Sequence, residues 1–263
     1  MSGGGPVGRA LVTGGGDRLG AAMAVTLAGL GHDVAVHYAT SRDGAEATVS
    51  AIRGGGRRGA ALQADLLEPG AAEALVGRAA DALGGPLTVL VNNASVFEHD
   101  DIATADRRSW DRHMGSNLRA PLTLIQHFAR QAPPAASDGE PLATACVVNM
   151  IDQRVRRLTP EFMTYTLAKS GLWTLTRTAA QALAPAIRVN AIGPGPTLRG
   201  HRQSEAHFAG QRAGTLLGRG ADVDDVTDAL RYLVGAKAVT GQLICVDGGQ
   251  HLGWRTPDVR GVE

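Results

Sequence analysis

The sequence predicts a three-layer α/β fold: one doubly wound parallel sheet with helices on both faces, in a single domain. Three observations predict it. Short β-rich runs alternate with longer helical patterns along the whole chain, which implies repeated strand–helix–strand units and a parallel sheet. The run LTVLVNNAS (87–95) is almost continuously apolar at its start, as expected of a strand buried on both faces. The 263 residues suit one large α/β domain, and no linker divides them.

Taken in order, RALVTG (9–14) reads as the first strand and LGAAMAVTLAGLGH (19–32) as a helix that closes on glycine. DVAVHY (33–38) is the second strand, and GAEATVSAIRGGG (44–56) is a helix with a glycine stop. AALQADL (60–66) is a strand, and 68–85 is a helix ending in a glycine pair. After the strand 87–95, one helix is expected from about Ser109 to Arg130. The polar, proline-rich stretch 132–141 is a loop, and ATACVVNM (143–150) is the next strand. A long amphipathic helix fills 163–184, and IRVNAIGPG (187–195) runs as a strand into a Pro/Gly turn. A helix near 222–235 and a last strand, QLICVDGG (242–249), complete the pattern.

Composition excludes several functions. Charge is balanced at 26 basic against 25 acidic residues, so neither nucleic acid nor an anionic membrane is an expected partner. No apolar run reaches the roughly 18 residues of a membrane span. Residues 1–8 carry no signal-peptide core and are expected to be a flexible start, which points to the cytoplasm. Cys146 and Cys245 lie in apolar runs and read as buried strand residues rather than a disulfide. The eight histidines show no metal-ligand spacing, so no metal is expected. Glycine, at 35 of 263, is about twice its usual ~7%, which suggests many tight turns and close backbone approaches.

The first strand ends in TGGGDRLG (13–20), just where a helix begins. Glycines there let the backbone bend and let a pyrophosphate approach the helix N-terminus, whose N–H groups and dipole favour an anion. The second strand ends in HYATSRDG (37–44), with no carboxylate at its tip. An NAD site places a carboxylate there for the ribose. Tyr38, Ser41 and Arg42 would instead welcome a 2′-phosphate, so NADPH is the expected cofactor. Farther on, Tyr165 and Lys169 stand four residues apart on one helix face. A free tyrosine has a pKa near 10, and a neighbouring ammonium is expected to lower it into a useful range.

TGGGDRLG, NNAS (92–95), Tyr165-x3-Lys169 and GPGPT (193–197) follow the order seen in short-chain dehydrogenase/reductases, and the resemblance runs from about residue 9 to 253. It implies a Rossmann-type sheet, a nicotinamide cofactor and a homotetramer or dimer, with the tetramer expected here. By resemblance, Thr13, Gly14, Gly16, Arg18 and Leu19 in the first turn hold the cofactor. So do Asp65 and Leu66 after the third strand, Asn93 and Ala94 after the fourth, and Pro194, Gly195 and Thr197 after the sixth. Asp65 matches the family's adenine-contacting aspartate and could also cap a helix. Lys169 is implied to hold the nicotinamide ribose, and Asn117 to support a proton-relay water.

Two departures narrow the reading. Arg18 stands where most members carry glycine, and it resembles the arginine of pteridine and dihydromonapterin reductases. It makes sense there if it faces the pyrophosphate or the substrate. Asp152 stands thirteen residues before Tyr165, where most members have a serine that donates to a substrate carbonyl. An ionised carboxylate would repel the growing oxyanion of ketone reduction. It suits C=N reduction, where nitrogen gains a proton, and a carboxyl kept protonated by burial would serve as a donor. Ser95 and Phe97 match the family's pterin-binding positions, with the ring stacking on the flat substrate. The polar segment around 196–215 is expected to be a mobile lid, and Arg154, Arg156 and Arg157 to be solvated loop charges.

The resulting expectation is an NADPH-dependent reductase of a dihydropterin: dihydrobiopterin, dihydromonapterin or also dihydrofolate. Catalysis is assigned to Asp152, Tyr165, Lys169 and Asn117, and substrate binding to Arg18, Ser95 and Phe97. Two alternatives stay open: a carbonyl reductase acting on a ketone such as a 3-oxoacyl thioester, and a nicotinamide-binding sensor without turnover.

Overall fold

The computed structural model describes residues 8–200 and 203–254. The expected flexible start therefore lies outside the described residues except for Gly8, whose carbonyl accepts the Asp33 N–H at 2.9 Å. His201 and Arg202 of the expected lid also lie outside them.

The first half alternates strand and helix: β1 (Arg9–Val12), α1 (Arg18–Gly29), β2 (Asp33–Tyr38), α2 (Arg42–Gly54), β3 (Gly59–Gln63), α3 (Ala71–Leu83) and β4 (Val89–Asn92). There follow α4 (Arg107–Met114), a π-helical turn (Gly115–Arg119), α5 (Ala120–Gln131) and a short hairpin of β5 (Ala136–Ser137) and β6 (Pro141–Leu142). Then come β7 (Ala145–Met150), α6 (Met163–Leu183), β8 (Ile187–Pro194), α7 (Glu205–Ala213), α8 (Val223–Gly235) and β9 (Leu243–Val246). The sheet has seven strands in the order β3-β2-β1-β4-β7-β8-β9, every pair parallel.

Side chains alternate across the sheet, so each strand feeds two cores. Leu11 and Val147 pack with Leu75, Leu83, Leu124 and Phe128 of α3 and α5. Ala10, Val12, Cys146 and Val148 pack on the opposite side with Met23, Leu27, Ile52, Val226 and Leu230 of α1, α2 and α8. Each fully buried side chain of this kind stabilises the fold by about 1.5–3 kcal/mol. Helix ends follow local chemistry. Asp106 and Ser109 form a capping box at α4, and Asp222 and Asp225 form one at α8. Gly84 ends α3 at φ 75°, a conformation that only glycine adopts at low cost.

Three expectations need correction. The single helix expected over 109–130 is α4 and α5 joined by one π-helical turn, with Asn117 inside it. Such a turn leaves no mark on apolar periodicity, because it adds about one residue to one turn. The 132–141 loop contains the β5–β6 hairpin. Asp65 caps no helix: its Oδ1 accepts the Leu67 N–H at 2.9 Å within a turn, and α3 starts after Gly70. Cys146 is buried as expected, Cys245 is only half-buried, and both are free.

Candidate active site

Strand order reverses between β1 and β4, and their carboxyl ends open a crevice there. The two ends are stitched together. Thr13 N–H donates to the Val91 carbonyl at 3.0 Å, and Thr13 Oγ1 accepts the N–H groups of Asn93 and Ala94 at 2.9 and 3.0 Å. Asn93 Nδ2 donates to the carbonyls of Thr13 and Gly14 at 2.9 and 3.0 Å. Gly14 has φ 61°, and a Cβ there would meet Asn93 and Ala94 at 3.1 Å. At Gly16 a Cβ would press on Ser41 and Ala45 in α2's first turn at 3.0 Å.

His37 braces the same turn from β2. Its Nδ1 accepts the Gly14 N–H at 3.1 Å, and its Nε2 faces the Ala64 carbonyl at 2.9 Å. The ring is therefore the neutral Nε2–H tautomer, and burial holds its pKa below the ordinary value. Sequence reading placed His37 at the strand tip without a role; its inward direction follows from strand alternation.

From this crevice a cleft of about 840 Å³ runs across the sheet end. Arg18, Leu19, Ser95, Phe97, Asp152, Tyr165, Pro194, Gly195 and Thr197 all line it. Tyr38, Ser41, Arg42, Asp65 and Leu66 do not; they sit at the neighbouring strand ends beyond its lining. Arg18 has φ 50°, unusual outside glycine, and its guanidinium is committed. Nη1 donates to the Arg199 carbonyl at 2.9 Å and Nη2 to the Leu198 carbonyl at 3.0 Å. The residue expected to grip a ligand thus holds the start of the segment expected to be a lid at the cleft wall.

α6 and the end of β7 place the reacting groups. Tyr165 Oη donates to Asp152 Oδ2 at 3.0 Å, and Asp152 Oδ1 accepts the Arg154 N–H at 2.8 Å. Lys169 Nζ donates to the Met150 carbonyl at 2.8 Å and lies 5.7 Å from the Tyr165 ring centroid. Burial raises the Asp152 carboxyl above its usual range, opposed by the Arg154 N–H. Burial, reinforced by Asp152, pushes Tyr165 well above 10. Burial lowers Lys169 to about 8, partly offset by Asp152. This corrects the expected lysine-lowered tyrosine. The ammonium turns to a main-chain carbonyl, the carboxyl is the phenol's partner, and Tyr165 is held as a proton-bearing donor.

Asn117 is fully buried. Its Oδ1 accepts the Val96 N–H and its Nδ2 donates to the Val96 carbonyl, each at 2.8 Å. Its side chain therefore fixes the loop after β4 that carries Ser95 and Phe97. Phe97 stacks on Phe162 with centroids 4.4 Å apart and meets the edge of Tyr165 at 4.7 Å.

Arg154, Phe162, Gln153, His207, Phe208 and Gln250 also line the cleft, and of these only Arg154 was singled out from the sequence. Phe162 and Phe208 follow a polar context that gave no periodic signal. Arg154 corrects the solvated-charge expectation: its guanidinium sits 5.0 Å above the Phe162 ring. Arg156 lies over Trp173 at 5.8 Å, and Arg157 donates to the Gln250 carbonyl at 3.0 Å. The segment expected to be a lid contains α7, which has no buried residue, and Arg212 at its end donates to the Pro196 and Ala221 carbonyls at 3.1 and 2.6 Å.

A family model described as Enoyl-(Acyl carrier protein) reductase matches residues 17–251. The structure of FolM alternative dihydrofolate reductase 1 from Brucella suis, in complex with NADP, is 43% identical with a TM-score of 0.89, covering 96% of this chain and 98% of that one. Its counterpart from Brucella canis, complexed with NADP, is 41% identical with a TM-score of 0.87, over 97% and 98% of the two chains. The 3-oxoacyl-[acyl-carrier-protein] reductase FabG of Staphylococcus aureus is 30% identical over 92% of this chain and 98% of its own.

Proposed function

The chain belongs to the short-chain dehydrogenase/reductase family of NADP-dependent oxidoreductases, and within it we propose a reductase that converts a dihydropterin to the tetrahydro form. One observation carries the reading: a half-buried carboxyl, Asp152, is hydrogen-bonded to the Tyr165 hydroxyl at 3.0 Å, where a ketone reductase needs a neutral donor. The likeness to two alternative dihydrofolate reductases over nearly the whole chain supports it.

The residues present fit NADPH. The Gly14–Gly16 turn leaves no room for side chains and opens at the N-terminus of α1. Arg42 supplies a cation beside Ser41 at the tip of β2, suited to a 2′-phosphate. Bound NADPH would supply the hydride. The protein's own part is the proton and the pose. Tyr165 and Asp152 hold a proton at the cleft floor, and Tyr165 gives it to the imine nitrogen as the adjacent carbon is reduced. Asp152, close by, complements the positive charge of the protonated imine and, by accepting from the phenol beforehand, aims the hydroxyl into the cleft. Lys169, anchored at Met150, is placed to hold the cofactor's ribose and to pass a proton, with a pKa of about 8. Phe97 and Phe162 offer flat faces to an aromatic substrate, and Ser95 offers a hydroxyl at the cleft edge.

The test is NADPH oxidation by purified protein with dihydrobiopterin, dihydromonapterin, dihydrofolate and an acetoacetyl thioester in parallel. Pterin or folate turnover that D152A abolishes supports the proposal. The 30% identity to FabG favours a second reading, 3-oxoacyl thioester reduction. Turnover of the thioester alone would establish that reading and sink the first.

A further inference from the structure

Behind the cleft lies a buried polar chain that the proton chemistry above does not use. α6 begins without a cap of its own: Phe162 precedes it at φ 57° and makes no side-chain cap bond. The exposed N–H groups of a helix start must find partners. Asp100, from the loop after β4, supplies them. Its carbonyl accepts the N–H groups of Phe162 and Met163 at 2.7 and 3.3 Å, and its Oδ1 accepts the Thr164 N–H at 3.1 Å. Thr164 Oγ1 donates to Asp100 Oδ2. Asp100 is 2% exposed, and among the described residues no lysine or arginine forms an ion pair with it. A carboxylate at a helix N-terminus is favoured by the helix dipole. Burial pushes the Asp100 pKa up, but the Thr164 and Ser109 bonds outweigh it, and the carboxyl stays below its ordinary value.

His113 of α4, 0% exposed, completes the chain. Its Nδ1 lies 2.7 Å from Thr164 Oγ1, and its Nε2 accepts the Glu98 N–H at 3.1 Å. Thr164 spends its only hydrogen on Asp100, so it can only accept from His113. The ring must therefore carry its proton on Nδ1 and none on Nε2. The bonds run in one direction: Glu98 N–H to His113, His113 to Thr164, Thr164 to Asp100. Phe97 precedes Glu98 in sequence and Tyr165 follows Thr164, and these are the ring and the hydroxyl that meet in the cleft.

We propose that His113 is a positioning residue, which through Thr164 and Asp100 locks the Phe97 loop to the first turn of α6 and so fixes the Tyr165 hydroxyl over Asp152. Protonation of His113 would set an Nε2–H against the Glu98 N–H and break the chain at its first link. The groups facing the ring are Glu98 and Asp100 from the loop, Arg112 on its own helix and Tyr165 on α6, whose ring centroid is 6.0 Å away. Burial holds the imidazole pKa below its ordinary value, with Asp100 and Glu98 opposing. The lock is thus closed at neutral pH and opens on the acid side.

The inference is independent of which acceptor is natural. In H113F, kcat for whichever acceptor the wild type reduces should fall about tenfold or more, with NADPH affinity by fluorescence titration unchanged. H113Q, whose amide offers both an acceptor and a donor, should restore kcat to within about threefold and lose the acid limb of the pH–rate profile that His113 imposes. Ring nitrogen shifts in the wild type should show the neutral Nδ1–H tautomer at neutral pH, a readout that needs neither substrate nor a folded variant. An unchanged kcat in H113F, an acid limb kept in H113Q, or an Nε2–H or charged ring at neutral pH would each overturn the proposal.

Discussion

The Tyr165 hydroxyl donates to Asp152 Oδ2 across 3.0 Å, with Tyr165 buried and Asp152 half-buried at the cleft. The phenol therefore has a carboxyl, not an ammonium, as its nearest partner. That relationship separates proton delivery to nitrogen from the stabilisation of an oxyanion.

Replacing Asp152 tests this separation and the burial that goes with it. D152N should lower pterin turnover by about 100-fold. Its stability should also depend on pH relative to the wild type. The raised folded-state pKa of Asp152 means that the folded chain holds its proton more tightly than the unfolded one. The carboxyl's contribution is therefore most favourable at low pH and is lost as pH rises through the folded value. D152N should gain melting temperature over the wild type above that value, and the gain should vanish in acid.

Lys169 follows the opposite pH direction. Burial lowers its pKa from 10.5 to about 8, so the folded chain releases a proton that the unfolded chain keeps. Its burden is absent above about 10.5 and complete below about 8. K169M should unfold at higher denaturant than the wild type at neutral pH, by on the order of 2–3 kcal/mol. The two proteins should converge in strong base, while K169M loses turnover throughout.

Phe97 is nearly half exposed, stacks on Phe162 and faces the cleft. A ring presented in this way is poised to stack on a flat substrate. F97L should raise KM for the pterin about tenfold and leave kcat within about threefold. A fall in kcat at constant KM would argue against a stacking role.

Arg42 starts α2 beside Ser41 at the tip of β2, and the proposed NADPH site assigns it the 2′-phosphate. Losing a charge-assisted bond of ~1.5–3 kcal/mol should cut the NADPH-over-NADH preference in kcat/KM by roughly 10–100-fold in R42A. An unchanged ratio would move cofactor discrimination elsewhere on the loop.

Arg18 holds the Leu198 and Arg199 carbonyls from a backbone conformation that favours glycine. R18G should therefore fold without strain at this position yet free the lid segment. Amide hydrogen exchange around residues 203–215 should speed up, with the β-strands of the sheet unaffected.

Much of the site was legible because its parts are tied to strand ends. Gly14, Gly16, Ser95, Phe97, Tyr165 and Gly195 were placed by motif and spacing, and all but the two glycines of the first turn line the cleft. Asn117 was found as a residue, but not its pair of hydrogen bonds with the Val96 main chain, which depends on a π-helical turn that periodicity does not register. Phe162 escaped notice because it belongs to no periodic segment, and its place opposite Phe97 comes from the fold of the 151–162 loop. The three arginines after Asp152 read as surface charge. Whether a guanidinium faces water or a ring depends on neighbours far away in sequence, as with Arg156 over Trp173.

The sequence by itself determined the layer order, the glycine turn and the spacing that sets Tyr165 and Lys169 on one helix face. These depend on local period and steric rules, which act within a few residues. Only the tertiary structure decided which charge meets which. It turned Lys169 to Met150, gave Tyr165 to Asp152, and joined His113, Thr164 and Asp100 behind the cleft. The reason is that burial and hydrogen-bond partnership are set by chain segments brought together across the sheet end. A pKa follows those partners, not the neighbours in sequence.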